Sequence, residues 1–253
     1  MIGAVQSLFR YPVKGFTPDA MTHVHLNAGG FFPDDRRYAV ENGPSGFDPT
    51  APAFTAKTKF TVLAQMPALA AIRTVFDAGR LSAIAPDGRN IAAHLDDAQG
   101  RTAFATWLAE VLDPEEVRGP LRVVSAPHWH FTDHPQGFVS ILNLASLSAL
   151  GERMGVVLDP LRFRANIHVE GWDAWAETQW ASGARLIIGG SELELFKPIV
   201  RCMAINANPT TGERDIDLIA ALRELDPRIH FGLYARVVSG GDIKTGDPAR
   251  AEP

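Results

Sequence analysis

A single cysteine, Cys202, stands in 253 residues, which excludes an intrachain disulfide and any all-cysteine zinc or iron–sulfur site within the chain. Long apolar runs are missing as well, since none reaches the roughly 18 residues of a membrane span. The opening segment Met1 to Val13 is broken by Arg10, Tyr11 and Pro12, unlike the apolar core of a signal peptide. A cytoplasmic protein with no membrane partner is expected. Lysine and arginine number 24 against 29 acidic residues, a formal net charge of −5 without a basic block. The electrostatic footprint of a nucleic-acid binder is therefore absent. Neither a GxGxxG pattern nor a P-loop occurs, and Ser140, Ser146 and Ser148 lack a nucleophile-elbow context.

What is present describes a folded chain rich in turns. Apolar residues at 46% and charged residues at 21% are ordinary for a globular protein. The 22 glycines and 18 prolines make about 16% of the chain against a background near 12%, which favours many short strands over long helices. At roughly 150 residues per domain, the length fits one large or two intimate domains.

The first half reads as mostly strand. Ala4 to Phe9 alternates until Tyr11-Pro12-Val13-Lys14-Gly15, where proline ends the ladder and glycine permits a sharp turn. Met21–Leu26, Arg37–Glu41, Phe60–Leu63, Ile72–Phe76 and Leu81–Ala85 continue the pattern. The period then changes: Phe104, Trp107, Leu108 and Val111 fall on one helical face that ends before Asp113-Pro114. Beyond it, Leu121–Ser125 reads as a strand, Asn143 as the cap of a helix running to Gly155, and Arg164–Val169 as a strand. Arg185–Ile188, Glu192–Phe196 and Ile199–Ile205 follow as strands. A last helix is begun by Asp215 and halted by Asp226-Pro227, and Phe231–Val238 with Ile243-Lys244 reads as a closing hairpin.

Several side chains carry potential chemistry. On the strand reading, Val200, Cys202 and Ala204 share one face and Arg201 the other, so Arg201 need not touch the thiol. Cys202 is compatible with a buried structural cysteine or, beside cations, with a reactive thiolate. Lys14, Arg36, Arg37, Arg162 and Arg164 occupy loops or strand ends; converging, they would make an anion site suited to a phosphorylated ligand. His23 with His25, and His128, His130 and His134 with Asp133, are possible metal clusters, but neither has a helix-borne ligand spacing. Trp172, Trp175 and Trp180 read as core or interface residues.

A longer set of motifs runs in a fixed order. It comprises Tyr11-Pro12-Val13-Lys14-Gly15, Asp35-Arg36-Arg37-Tyr38, Phe54-Thr55-Ala56-Lys57, Arg162-Phe163-Arg164-Ala165-Asn166, Trp180, Lys197-Pro198-Ile199-Val200-Arg201-Cys202, Asn208 to Asp215, and Phe231-Gly232-Leu233-Tyr234. In that order the set resembles MOSC proteins, the family named for the C-terminal domain of molybdenum-cofactor sulfurase. The resemblance implies an α+β, mainly β fold, with a MOSC N-terminal β-barrel domain over residues 1–118, a MOSC domain over 119–253, and a few peripheral helices. In members such as the mitochondrial amidoxime-reducing component, the cysteine matching Cys202 is a thiolate ligand of molybdenum held by a pterin dithiolene. By the same resemblance Lys14, Gly15, Arg36 and Arg164 hold the molybdopterin, with Asn166, Arg201 and Tyr234 beside it. Two positions depart from those relatives: Val200 replaces a serine, and Arg164-Ala165-Asn166 replaces Arg-Pro-Asn.

The implied function is a molybdenum-cofactor oxidoreductase that removes oxygen from small N-hydroxylated substrates such as amidoximes or hydroxylamines. Some bacterial relatives append a plant-type ferredoxin domain, which this sequence does not show. Electrons are therefore expected from a separate flavoprotein reductase, ferredoxin or cytochrome. Two alternatives use the same residues: a persulfide carrier that delivers sulfur to a metal centre, and a non-catalytic module that binds or delivers the cofactor.

Overall fold

Short amphipathic strands must close on themselves to hide both their apolar faces and their edges, and this chain does so with a barrel. A computed structural model describes residues 1–252. In chain order the strands begin with β1 (Ile2–Arg10), β2 (Asp19–Met21), β3 (His23–Leu26), β4 (Ala39–Asn42), β5 (Arg73–Asp77), β6 (Arg80–Ile84) and β7 (Asn90–His94). Helix α1 (Ala98–Val111) follows, then β8 (Leu121–Val124), β9 (Val139–Asn143), α2 (Leu144–Met154), β10 (Ile167–Glu170), β11 (Arg185–Ile188) and β12 (Ser191–Val200). Helix α3 (Leu218–Leu225), β13 (His230–Ser239), β14 (Gly241–Lys244) and β15 (Pro248–Glu252) complete it. No helix among the described residues is long and apolar enough to cross a membrane.

Seven strands form the barrel in the order β1–β10–β9–β13–β12–β11–β15, closed by the pairing of β15 with β1. All its pairings are antiparallel except β9 with β10. Val5 and Leu8 of β1 both enter the core although they are three residues apart; a bulge between Val5 and Ser7 restores the face. Each fully buried aliphatic side chain, such as Ile141 or Leu193, contributes about 1.5–3 kcal/mol.

The N-terminal half packs separately around Phe16, Tyr38, Leu69, Phe104 and Leu108, under α1 and the three-stranded sheet β5–β6–β7. Asn143 starts α2 by accepting from the Ala145 N–H, as the sequence predicts, and Asp97 starts α1 by accepting from the Gly100 N–H. Gly155 at φ 69° closes α2. Two loops of this half are stitched together by backbone: Lys14 N–H donates to Tyr38 O, Tyr38 N–H to Pro12 O, and Arg36 N–H to Tyr11 O.

Five expectations are corrected. Phe60–Leu63 is not a strand; Phe60 makes one bridge to Glu41 and the chain turns away. Arg164 adopts a left-handed backbone, so β10 begins only at Ile167. The strand expected over Ile199–Ile205 stops at Val200, because the ladder is interrupted by a bulge after Pro198, and a 3₁₀ turn occupies Met203–Asn206. Asp217 rather than Asp215 caps α3. The closing hairpin does not form, since β14 pairs with β3 while β13 lies between β12 and β9. Strands β7, β9 and β15 were not legible; β15 buries only two alanines, Ala249 and Ala251, and opens on proline, so its alternation is too weak to stand out.

His168 of β10 pairs with Ser7 of β1; its Nδ1 is 3.1 Å from the Ser7 hydroxyl, its Nε2 has no partner, and its ring packs on Phe9. Burial pushes its pKa down to about 4. Between the ordinary value of 6.5 and about 4 the unfolded chain binds a proton that the folded chain refuses, so stability falls with pH in that window. The loss is about 3 kcal/mol in total. Urea titrations from pH 7 to pH 4 are expected to show a smaller acid loss for His168→Leu than for wild type; equal losses would contradict this.

Candidate functional site

The site sits on the outer face of the barrel. Val139 and Ile141 of β9 and Leu233 and Ala235 of β13 belong to the barrel core, so alternation sends Ser140 and Tyr234, paired in register, outward. Lys197 of β12 pairs with Tyr234 from the other side. Over this face lie Lys14, Gly15, Arg36 and Lys57 from the N-terminal half, and the two surfaces enclose a cavity of about 340 Å³. Lys14, Gly15, Arg36, Arg164, Asn166, Arg201, Cys202 and Tyr234, the residues singled out by resemblance, all line it. Seven lysines and arginines line the cavity against two carboxylates, Asp35 and Asp133, in a chain whose net charge is −5.

Tyr11 anchors the cationic wall. The Arg36 and Arg164 guanidinium carbons lie 4.6 and 4.2 Å from the centroid of its fully buried ring. Asp35 accepts from the Tyr11 N–H at 2.8 Å and from the Arg36 guanidinium. Arg36 also donates to Arg164 O at 3.0 Å, and Arg164 to Phe16 O at 2.7 Å. Both arginines hold a left-handed backbone, φ 50° and 51°, which costs on the order of 1–3 kcal/mol each and persists because these bonds fix it. Burial, reinforced by the neighbouring Arg36, lowers the Arg164 pKa to about 10; burial also raises the Tyr11 hydroxyl to about 12.

Gly15 makes the close approach of Lys14 possible. At φ 90°, a Cβ there would stand 2.7 Å from Thr61 O, so only glycine fits. Lys14 is buried and donates to Phe131 O at 2.8 Å and Asp133 at 2.6 Å. Burial lowers its pKa, with Asp133 opposing. Burial works against the Asp133 carboxylate, but Lys14 and Lys57 outweigh it and hold its pKa below the usual range.

Cys202 follows the end of β12 and caps the 3₁₀ turn, with extended backbone at φ −136°. The strand-based assignment of faces therefore does not apply to Arg201 and Cys202. Arg201 turns inward beneath Gly232, donates to Phe231 O at 2.7 Å and Phe163 O at 2.8 Å, and has its pKa lowered to about 10 by burial. The Cys202 sulfur is instead met by Lys57, whose Nζ is 3.4 Å away and also donates to Asp133 at 3.2 Å. Lys57 and Asp35 fall within the ordered motifs, yet nothing in spacing shows that residue 57 meets residue 202. Asn166 is spent internally: its amide accepts from Ser140 and donates to Phe9 O, so it builds the wall. Arg162 is neutralised by two 2.8 Å bonds to Asp215.

Buried N–H groups without partners remain on Arg164 and Arg201, both in the cavity wall. Unsatisfied cationic donors in a water-poor wall favour an anionic ligand. The histidines are placed elsewhere or used otherwise: His23 and His25 are exposed, His130 stacks on Phe31, and His134 packs on Phe138 and Phe196. No group of three His, Cys, Asp or Glu among the described residues is arranged to hold a metal ion.

A family model described as the MOSC N-terminal beta barrel domain matches residues 2–117, and one described as the MOSC domain matches residues 128–250. Human mitochondrial amidoxime-reducing component 1 is 32% identical over 120 residues, covering 43% of this chain and 35% of that protein. Molybdenum cofactor sulfurase of Caenorhabditis briggsae is 33% identical over 135 residues, covering 51% of this chain and 18% of that protein. The chain thus spans about a third or less of the length of these curated relatives. Among solved structures, the YuaD protein from Bacillus subtilis aligns over 99% of this chain and 96% of its own, with a TM-score of 0.47 and 15% identity. With two adjoining models spanning nearly all of it, the chain belongs to the MOSC family.

Proposed function

We propose that the protein binds molybdopterin-held molybdenum in this cavity and uses it to reduce small N-hydroxylated compounds. The observation that carries the reading is one cavity holding a lone thiol, Cys202, beside buried guanidinium groups with unpartnered N–H donors. The residues fit such a group chemically. A soft thiol suits a metal already bound by dithiolene sulfur, and a mixed lysine and arginine wall suits a pterin phosphate. The chemistry the bound group supplies is two-electron reduction of an N–O bond, in which R–NHOH takes two electrons and two protons to give R–NH2 and water.

Each residue then has a part in holding and orienting. Cys202 offers the single protein sulfur to the metal. Arg164, Arg36 and Lys14 hold the anionic end, and Arg201 and Tyr234 border it, with Asn166 fixing the wall behind through Ser140 and Phe9. Val200, 63% exposed at the cavity edge, leaves open the side from which a substrate approaches. Electrons come from a separate redox protein.

Three experiments test the reading. In a host that makes the pterin, Cys202→Ala is expected to abolish hydroxylamine reduction and to lower molybdenum content; wild-type turnover in the variant would refute it. Persulfide trapped on a metal-free wild-type Cys202 would instead favour sulfur delivery. Arg164→Met removes a buried cation whose desolvation is costly, so its unfolding free energy is expected to stay level or rise. Its pterin content should meanwhile fall about 10- to 100-fold, the worth of a charge-assisted bond of ~1.5–3 kcal/mol, measured by fluorescence of the oxidised pterin. Unchanged pterin content would remove Arg164 from the binding set.

A further inference from the structure

The sulfur of Cys202 has one hydrogen-bond partner among the described residues, and it comes from the other half of the chain. Lys57 opens a short 3₁₀ turn, Lys57–Lys59, and places Nζ 3.4 Å from the sulfur, within the range of an N–H···S bond. It is held there from the far side. Asp133 accepts from Lys57 at 3.2 Å and from Lys14 at 2.6 Å, while Lys14 is itself buried and fixed to Phe131 O. The chain of contacts Lys14–Asp133–Lys57–Cys202 therefore sets the direction of the Lys57 ammonium. Neither Arg201, which donates to Phe231 O and Phe163 O, nor Arg36, which donates to Asp35 and Arg164 O, bonds the sulfur.

We propose that Lys57 is a positioning residue: its ammonium, oriented by Asp133, hydrogen-bonds the Cys202 sulfur and raises the reduction potential of the metal that this sulfur binds. The proposal rests on Cys202 being a metal ligand. A donor on a ligating sulfur draws electron density away from the metal, and the reduced state, richer in electrons, gains most from that withdrawal. Hydrogen bonding around a ligating cysteine sulfur tunes redox metals in this way. Raising the potential favours acceptance of electrons from the donor protein, and because Lys57 lies in the N-terminal half, that half contributes to the electronics of the centre as well as to pterin binding.

The test is a redox titration of molybdenum-loaded protein followed by the molybdenum EPR signal, on wild type, Lys57→Met, Lys57→Arg and Asp133→Asn. Lys57→Met is expected to keep wild-type molybdenum content and to shift the midpoint to lower potential. Lys57→Arg, which retains a cationic donor, should stay near wild type, and Asp133→Asn should shift in the same direction as Lys57→Met. An unchanged midpoint in fully loaded Lys57→Met would overturn the proposal. Loss of molybdenum from Lys57→Met would overturn it too, by making Lys57 part of cofactor binding. The contact is also read without metal: at one fixed neutral pH, iodoacetamide should alkylate Cys202 several-fold more slowly in Lys57→Met than in wild type or Lys57→Arg. Equal rates would contradict the hydrogen bond itself, whereas wild-type protein that takes up no molybdenum while the rates differ would refute the metal site and leave the contact standing.

Discussion

The stacking of two guanidinium groups on one buried tyrosine ring governs the rest of this site. Desolvating a cation costs several kcal/mol even after relaxation, and placing a second cation beside it adds repulsion. Arg36 and Arg164 bear that cost because Asp35, Arg164 O, Phe16 O and the Tyr11 face are all supplied at fixed positions. The left-handed backbone at both arginines and the stitching of the Tyr11–Gly15 loop to the Asp34–Tyr38 loop accompany it. The compensation is incomplete, since one Arg164 N–H has no partner, and an anionic ligand of the kind proposed would complete it.

The barrel and the N-terminal half have separate cores, yet neither builds the cavity alone. Arg201, Cys202 and Tyr234 come from the strands β12 and β13 or their ends, and Lys14, Arg36 and Lys57 from loops and a turn on the other side. β1 belongs to the barrel although it is the first segment of the chain, so the loop that carries Lys14 begins on a barrel strand. That connection makes the distance between Lys14 and the barrel face a property of the fold instead of a hinge.

The mainly β class and the helices α1 and α2 were legible because their signals are local: a helical apolar face, a cap that accepts a backbone N–H, a glycine that closes a turn. The residues of the cavity were legible through the ordered motifs and not through periodicity. Periodicity in fact misplaced Cys202 within a strand, since it does not register the bulge after Pro198 that ends β12. The pairing of β14 with β3 and the closure by β15 join residues more than 200 apart, which no window of sequence reports. Lys57 escaped for the same reason, its partner lying 145 residues away. In the sequence Asp133 stands among histidines, which suggests a metal ligand, whereas its contacts in the fold are two lysines.

The central claim is that the one cysteine and the cationic wall serve a single ligand, a pterin-bound molybdenum centre. X-ray absorption at the molybdenum edge tests it most directly, comparing wild type with Cys202→Ala loaded side by side. The account predicts one more sulfur neighbour around molybdenum in wild type than in the variant. An identical sulfur count in both proteins would contradict it.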